Sequence, residues 1–168
     1  EGQTIDIWAY TNCVEVELFV NDRSLGCKRK NGIDTFHIMW RVKFEPGTIK
    51  AIGKKNGKIL LTKEVRTADK PYKIILEPDR NIIKADGKDL SFITVKIVDK
   101  ENVLVPYADN LVKFEISGPG FIAGVDNGCQ TSHEPFKASQ RKAFNGLCLV
   151  VVQSSGRKGK ISLKANSD

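Results

Sequence analysis

Residues 8–20 read WAYTNCVEVELFV, and this stretch decides the class of fold. From 14 to 20 every second residue is Val or Leu, and the residues between them are two Glu and one Phe. Alternation with a period of two is typical of a strand with one buried face. The sequence NDRS follows at 21–24, and these residue types favour a turn. We therefore predict a half-buried strand over 8–20 that ends in a turn near Asp22–Arg23.

Strand patterns of this kind continue along the whole chain. Residues 36–44 place five large apolar side chains, among them Trp40, on one face. Asn56-Gly57 predicts a type I′ hairpin turn, and the apolar run 147–153 predicts a central strand buried on both faces. No stretch of about 11 residues or more has the helical period. The further predicted strands are 48–53, 59–65, 72–76, 92–98, 112–117, 121–125 and 161–165.

The polar stretch RTADKP at 66–71 separates two blocks of predicted strands. A polar segment that ends in Pro is a typical domain boundary, which we place near residue 70. Short strands with frequent turn signals favour β-sandwiches. The sequence therefore predicts an all-β fold of two tandem immunoglobulin-like β-sandwich domains, residues 1–70 and residues 71–168. The second block lacks the Cys…Trp…Cys framework of antibody domains, so the likeness is one of architecture.

Length and composition exclude several classes of protein. The 168 residues are 40% hydrophobic and 28% charged, an ordinary globular balance, and the apolar runs are too short for a membrane-spanning helix. The chain is too short for a (β/α)₈ barrel and opens on EGQ rather than Met, so we expect a piece of a longer protein. A net charge of +7 permits polyanion binding, but Lys outnumbers Arg 20 to 7 and the charge is spread evenly. We expect neither a nucleic-acid nor a membrane partner.

Motifs for cofactor, metal or nucleophilic chemistry are weak. The four cysteines, Cys13, Cys27, Cys129 and Cys148, form no C-x-x-C pair, so we expect free thiols and no metal or cofactor site. His133 and Glu134 lie near Cys129 and Ser132 in a long irregular stretch, which makes a Cys/His or Ser/His device conceivable. No motif of specific spacing surrounds them, and a surface loop histidine is the favoured interpretation.

One strand face offers a possible sugar-binding surface. Trp8, Tyr10 and Asn12 are spaced by two, so a strand presents them on the same side, and Trp40 is a candidate to join them. Aromatic rings stack on sugar faces, and Asn hydrogen-bonds hydroxyl groups. The favoured alternative is that Trp8 and Trp40 fill the core, because a small sandwich needs large apolar side chains.

Longer strings carry a family resemblance. The segment WAYTNCVEVELFVNDRSLG at 8–26 resembles the start of a C-terminal accessory domain of glycoside hydrolase family 2 enzymes of the β-galactosidase type, with Asp22 where Gly is usual. The segment FEPGTIKAIGKKNGK at 44–58 is similar to a hairpin region of the same domain. The second block resembles the next accessory domain in three strings: ADGKDLSFITVKIVDKENVLVPYADN, ISGPGFIAGVDNG and SHEPFKASQRKAFNGLCLVVVQS.

The resemblance implies that the parent is a bacterial retaining exo-glycosidase, a periplasmic or secreted β-galactosidase. Its catalytic glutamates would lie on a (β/α)₈ barrel that this chain lacks, so no catalytic residue is assigned here. The two sandwiches would pack on that core as non-catalytic supports, with a carbohydrate-binding module for galactosides as the alternative. An apolar patch left without the core would favour a homo-oligomer.

The resemblance also places particular residues of the second block. Phe144 is expected in the core. Arg141 is expected to pair with an acidic group of a neighbouring domain, and Asn127, His133 and Glu134 are further candidates for interdomain contact. For Phe144, Arg141 and Asn127, a structural use is favoured over contact with a ligand.

Overall fold

The computed structural model describes residues 2–30, 32 and 36–167, and every regular element in that part of the chain is a β-strand. The prediction of an all-β protein is therefore confirmed, while the finer immunoglobulin-like assignment stays a prediction. The chain forms two compact units, Glu1–Thr67 and Ala68–Asp168, which we call unit 1 and unit 2.

Unit 1 contains a sheet of four strands and a sheet of two. The order of the larger sheet is β3-β2-β5-β6, and β1 pairs with β4 in the smaller one. All strand pairs are antiparallel. The strands are β1 (Thr4–Tyr10), β2 (Glu15–Val20), β3 (Arg23–Arg29), β4 (His37–Lys43), β5 (Thr48–Lys55) and β6 (Lys58–Arg66).

Unit 2 contains a sheet of four strands and a sheet of three, in the orders β10-β12-β8-β7 and β11-β9-β13. Here too the pairs are antiparallel. The strands are β7 (Lys73–Pro78), β8 (Leu90–Val98), β9 (Leu111–Ser117), β10 (Gly120–Asp126), β11 (Gln140–Lys142), β12 (Leu147–Ser154) and β13 (Ser162–Asn166).

The stretch 8–20 forms two strands rather than one. Residues 11–14 interrupt it, and the Cys13 N–H donates to Thr11 Oγ1 at 2.9 Å within the bend. After the bend the chain leaves the sheet of β1 and enters the larger sheet as β2. The alternation predicted for β2 is confirmed, because Val16, Leu18 and Val20 are buried. The change of sheet means that the faces of β1 cannot be extrapolated from β2.

Two hairpin turns of unit 1 have positive φ at both central residues. Asn56 and Gly57 have φ of 51° and 73°, as the predicted type I′ turn requires. Asn21 and Asp22 have φ of 49° and 63°, so the turn lies one residue earlier than predicted. Gly adopts positive φ without strain, so a Gly would also fit the position of Asp22. The Asn21 carboxamide ties the turn down by accepting from Thr48 N–H at 2.8 Å and donating to the Pro46 carbonyl at 3.0 Å.

The core of unit 2 is built around β12. This strand lies between β10 and β8, which confirms the predicted central strand. Burial alternates along it: Val150 and Val152 are buried, whereas Leu149 and Val151 on the other face are only half-buried. The prediction of burial on both faces is therefore wrong for the second face.

The expectation that Phe144 fills the core of unit 2 is wrong. Its side chain is 43% exposed, and the neighbouring Ala143 is buried instead. Phe144 forms an isolated bridge with Leu147 across the tight turn of Asn145 and Gly146, and this turn fixes which of the adjacent side chains faces inward.

Candidate binding surface

Three aromatic side chains cluster on the outer face of the β1–β4 sheet. Trp8 is 52% exposed and Tyr10 is 69% exposed, and both alternate with the inward-facing Ile7 and Ala9. The His37 ring stacks on Trp8, with 4.5 Å between centroids and 9° between planes. Tyr10 completes the cluster, with its ring centroid 5.6 Å from that of His37. We call Trp8, Tyr10 and His37 the aromatic cluster.

His37 is the member that sequence reasoning missed. It stands directly opposite Tyr10 in the antiparallel register, where side chains of facing residues lie on the same side of the sheet. In the sequence it is 27 positions away from Tyr10 and has no motif around it, so only knowledge of the β1–β4 pairing could have found it.

Trp40 does not join the aromatic cluster. It is 3% exposed and faces Ile7 in the ladder, on the inner side of the sheet. It packs with Val16, Leu18 and Ile38 in the core of unit 1. The candidate role of Trp40 in sugar binding is therefore wrong, and so is the expectation that Trp8 lies in the core. The two tryptophans face opposite sides of one two-stranded sheet.

Asn12 is exposed but lies beyond the end of β1, so strand periodicity does not place its side chain. It lines a groove of about 370 Å³ beside the edge of β1. The opposite side of the groove is formed by residues of β5 and β6, including Leu61 and Val65. Lys63 is the single charged residue among the described residues that line it.

The candidate interdomain residues of unit 2 surround a buried arginine. The Arg141 side chain is 1% exposed. Its Nη1 donates to the Glu134 carbonyl at 2.9 Å, and its Nη2 donates to Asp126 Oδ1 at 3.2 Å and to Asn127 Oδ1 at 3.1 Å. The guanidinium also lies over the Phe136 ring, 5.4 Å from its centroid.

These contacts correct the expectation for Arg141. Its acidic partners belong to the same unit, because a cation buried in a sandwich must be neutralised and hydrogen-bonded locally. Arg141 ties the loop after β10 to β11, with Asn127 and Glu134 as its partners. His133 is exposed next to this loop, and its role in an interdomain contact stays a prediction.

All four cysteines are free thiols. Cys13 and Cys148 are buried, and burial raises the pKa of the Cys148 thiol to about 12. Hydrogen bonds with Thr131 lower the pKa of the Cys129 thiol, and the bond with the Thr131 hydroxyl contributes most. Ser132 Oγ donates to Glu134 Oε2 at 3.3 Å rather than to a histidine.

Within the described residues, no group of three or more His, Cys, Asp or Glu side chains is arranged to hold a metal ion. The same residues include no helix with the length and apolar character that crossing a lipid bilayer requires.

Two family models match the chain, one in each unit. The model described as glycoside hydrolase family 2 C-terminal domain 5 matches residues 74–168. A model described as a domain of unknown function, DUF4982, matches residues 2–61.

Curated relatives are glycoside hydrolases several times longer than this chain. A β-galactosidase of Bacteroides ovatus, BoGH2A, is 56% identical over 99% of this chain and 20% of its own length. A β-galactosidase of Thermoanaerobacter pseudethanolicus is 32% identical over 94% of this chain and 22% of its own. The chain thus spans about a fifth of these relatives.

Solved structures of glycoside hydrolases also match this chain. A glycosyl hydrolase family 2 member from Bacteroides cellulosilyticus matches with a TM-score of 0.95 and 37% identity, covering 99% of this chain and 22% of that one. A β-glycosidase from Bacteroides vulgatus matches with a TM-score of 0.94 and 38% identity over 99% of this chain and 21% of its own. Because the model for residues 74–168 covers more than half of the sequence, this chain belongs to the glycoside hydrolase family 2 C-terminal domain family.

Proposed function

We propose that the chain is a non-catalytic part of a β-galactosidase-type glycoside hydrolase and that it packs on and supports a catalytic barrel outside these residues. One observation carries the proposal: the chain matches a named β-galactosidase at 56% identity over nearly its whole length, yet accounts for only 20% of that enzyme. A periplasmic or secreted location of the whole enzyme is part of the same proposal.

The surface of unit 1 supports a packing role. All nine residues of β6 are exposed, and they include Ile59, Leu60, Leu61 and Val65. Four large apolar side chains exposed along one edge strand mark a surface that another body covers. Other domains of the enzyme are the proposed cover, and a homo-oligomer is the alternative.

Two measurements test the support role. The purified chain is expected to give no turnover of an aryl galactoside, and activity that survives repurification and tracks the chain would contradict the proposal. The full-length enzyme is then compared with a version truncated before this region. We expect the truncated enzyme to lose thermal stability or activity, whereas equal stability and activity would overturn the support role.

We propose galactoside binding at the aromatic cluster as a second candidate function. The exposure of Trp8 and Tyr10 side by side supports it, because amphipathic rings presented on one surface suit stacking against sugar faces. The test is a titration with galactose, lactose and galactan oligosaccharides, followed by backbone amide NMR shifts. Shifts around Trp8, Tyr10 and Asn12 are expected for a sugar site, and none at millimolar sugar would dismiss it.

A matched variant sharpens this titration. Trp8→Ala removes one ring of the aromatic cluster and is expected to abolish the shifts. Phe36→Ala removes an aromatic side chain that is 75% exposed in the same unit but outside the cluster, and is expected to leave them unchanged. Equal effects of the two variants would show that the shifts do not come from the aromatic cluster.

A further inference from the structure

The smaller sheet of unit 1 has a free edge beside the groove. The Thr11 N–H donates to the Phe36 carbonyl at 3.2 Å, and the Phe44 N–H donates to the Gln3 carbonyl at 2.8 Å. The two bonds continue the β1–β4 register by one residue pair at each end, beyond Thr4↔Lys43 and Tyr10↔His37. Since hydrogen-bonded and non-hydrogen-bonded pairs alternate in an antiparallel ladder, the odd-numbered residues of β1 bond to β4.

The even-numbered residues of β1 therefore direct their backbone groups the other way. The N–H and C=O groups of Asp6, Trp8 and Tyr10 point to the edge opposite β4, and no strand of the described chain pairs with β1 on that side. Such an edge is a template for one more strand. The same three residues place their side chains on the outer face, so the free edge and the aromatic cluster are different surfaces.

The sheet opposite β1 is uncovered at the same place. Leu61, Lys63 and Val65 of β6 stand opposite Gly53, Ala51 and Ile49 of β5, and Ile49 and Ala51 pack against the core of unit 1.

The three β6 residues thus lie on the inner face of the larger sheet, where a sandwich normally buries side chains. Leu61 is nevertheless 49% exposed and Val65 60% exposed. The groove of about 370 Å³ lies between them and β1.

We propose that a third strand adds to the free edge of β1 and covers the inner face of β6, completing unit 1 as a sandwich of four strands against three. The occupant is an extended segment of the larger enzyme outside these 168 residues, so the inference rests on the proposed function. The matched relatives place about four-fifths of their length outside the region that corresponds to this chain.

The chemistry of the groove specifies the segment. Alternate residues of the added strand would point onto Leu61 and Val65 and must be apolar. Lys63 has no ion pair among the described residues and is the single charged group among those lining the groove. One carboxylate on the inward face of the segment would pair with it. Backbone hydrogen bonds supply the rest of the recognition, as in other cases of strand addition.

Amide hydrogen exchange resolved to single residues tests the proposal, by comparing the isolated chain with the full-length enzyme. The amides of Asp6, Trp8 and Tyr10 are expected to exchange about tenfold more slowly or better in the full-length enzyme, because their donors become paired. The amides of Ile7 and Ala9, already bonded to β4, are the internal control and are expected to be protected in both. Equal, fast exchange of the three edge amides in both proteins would overturn the proposal.

Two β-branched residues on opposite faces of β6 give a matched pair of variants. Val65→Glu places a carboxylate on the inner face, and Thr62→Glu places one on the outer face, opposite Ile52. Both positions are exposed, so both variants are expected to fold. In the full-length enzyme Val65→Glu should return the edge amides to fast exchange and Thr62→Glu should not. Loss of protection in both variants, or in neither, would contradict an inner-face segment.

The outcomes separate this inference from the proposed function. If truncation of the enzyme destabilises it while the edge amides stay unprotected, the support role stands and the added strand is wrong. If the amides are protected but truncation has no effect, the support role is wrong. Protection that already appears in the isolated chain, and rises with its concentration, would assign the edge to a second copy and overturn the proposed occupant.

Discussion

Units 1 and 2 are both sandwiches of antiparallel strands, but they differ in how completely the second sheet covers the first. Unit 2 sets four strands against three, and its large cluster of buried apolar residues extends over both sheets. In the described part of unit 1, four strands face two, and its buried cluster is confined to Val16, Leu18, Ile38 and Trp40. The comparison teaches that one missing strand leaves a whole edge strand, β6, without a buried side.

The difference also shows how sequence pattern and burial separate. β6 has Ile59, Leu60 and Leu61 in a row, yet every residue of it is exposed. β12 of unit 2 is more apolar, contains no charged residue and buries one face completely. Composition sets the tendency to form a strand, whereas the neighbouring sheet decides whether the strand is buried.

The largest expected effect contrasts two leucines of unit 1. Leu18 is fully buried, so Leu18→Ala is expected to lower the free energy of unfolding of unit 1 by about 3 kcal/mol. Leu61→Ala removes a half-exposed side chain from the uncovered face and should change the free energy of unfolding of unit 1 by less than about 0.5 kcal/mol. Denaturant unfolding followed by tryptophan fluorescence measures both effects. The signal reports on unit 1 because the two tryptophans of the sequence, Trp8 and Trp40, both lie there. Equal effects would mean that the groove is closed in solution.

The second prediction concerns unit 2. Arg141→Ala removes hydrogen bonds from a buried guanidinium to Asp126, Asn127 and Glu134, and is expected to cost about 2–3 kcal/mol. Arg157→Ala, at an exposed position, is the control and should be near neutral. Calorimetry measures the shift of the unit 2 transition, while tryptophan fluorescence should show unit 1 unchanged. An equal loss in unit 1 would contradict an effect of Arg141 that acts through its contacts within unit 2.

The smallest of the three effects is a dependence on pH. The buried Asp99 carboxylate accepts from the backbone N–H groups of Asp69, Val103 and Glu101, and these bonds lower its pKa below the usual value. A lowered folded-state pKa stabilises unit 2 above the unfolded-state pKa of about 3.9, and this contribution is lost as pH falls through the folded-state pKa. In Asp99→Asn, the stability of unit 2 is expected to fall less steeply as the pH is lowered, as measured by calorimetry of the unit 2 transition across acid pH. The same loss of unit 2 stability at acid pH in the variant would contradict this role of Asp99.

Much of the fold was predictable from local pattern. The alternation over 15–20, the Asn56-Gly57 turn and the central position of β12 follow from periodicity and turn chemistry, and each is confirmed. Val14 departs from the alternation because it lies in the bend before β2 and is exposed. The bend at 11–14 was not predictable, because it moves the chain from one sheet to the other without a strong breaker such as Pro. The change of sheet is why Trp8 is exposed although Val16 and Leu18, at even positions of β2, are buried. Trp40 is buried because it pairs with the inward-facing Ile7, a register that a single-strand pattern cannot express.

The candidate surfaces were predictable only in part. Trp8 and Tyr10 were found from their spacing of two, which β1 preserves. His37 required the register of two strands far apart in sequence. The burial of Arg141 could not be predicted without knowing which face of β11 points inward. A short polar stretch such as Gln140–Lys142 is typical of a solvated surface.

The central claim is that unit 1 is an incomplete sandwich and unit 2 a complete one. Cys13 and Cys148 are buried in units 1 and 2 respectively, so their reaction with a thiol reagent reports the opening of each unit. The background is Cys27→Ser, Cys129→Ser. In the isolated chain, Cys13 is expected to react at least about tenfold faster than Cys148, which corresponds to a difference of about 1.4 kcal/mol in the free energy of opening. The same comparison in the full-length enzyme should remove most of that difference. Reaction of Cys148 as fast as or faster than Cys13 in the isolated chain would contradict the account.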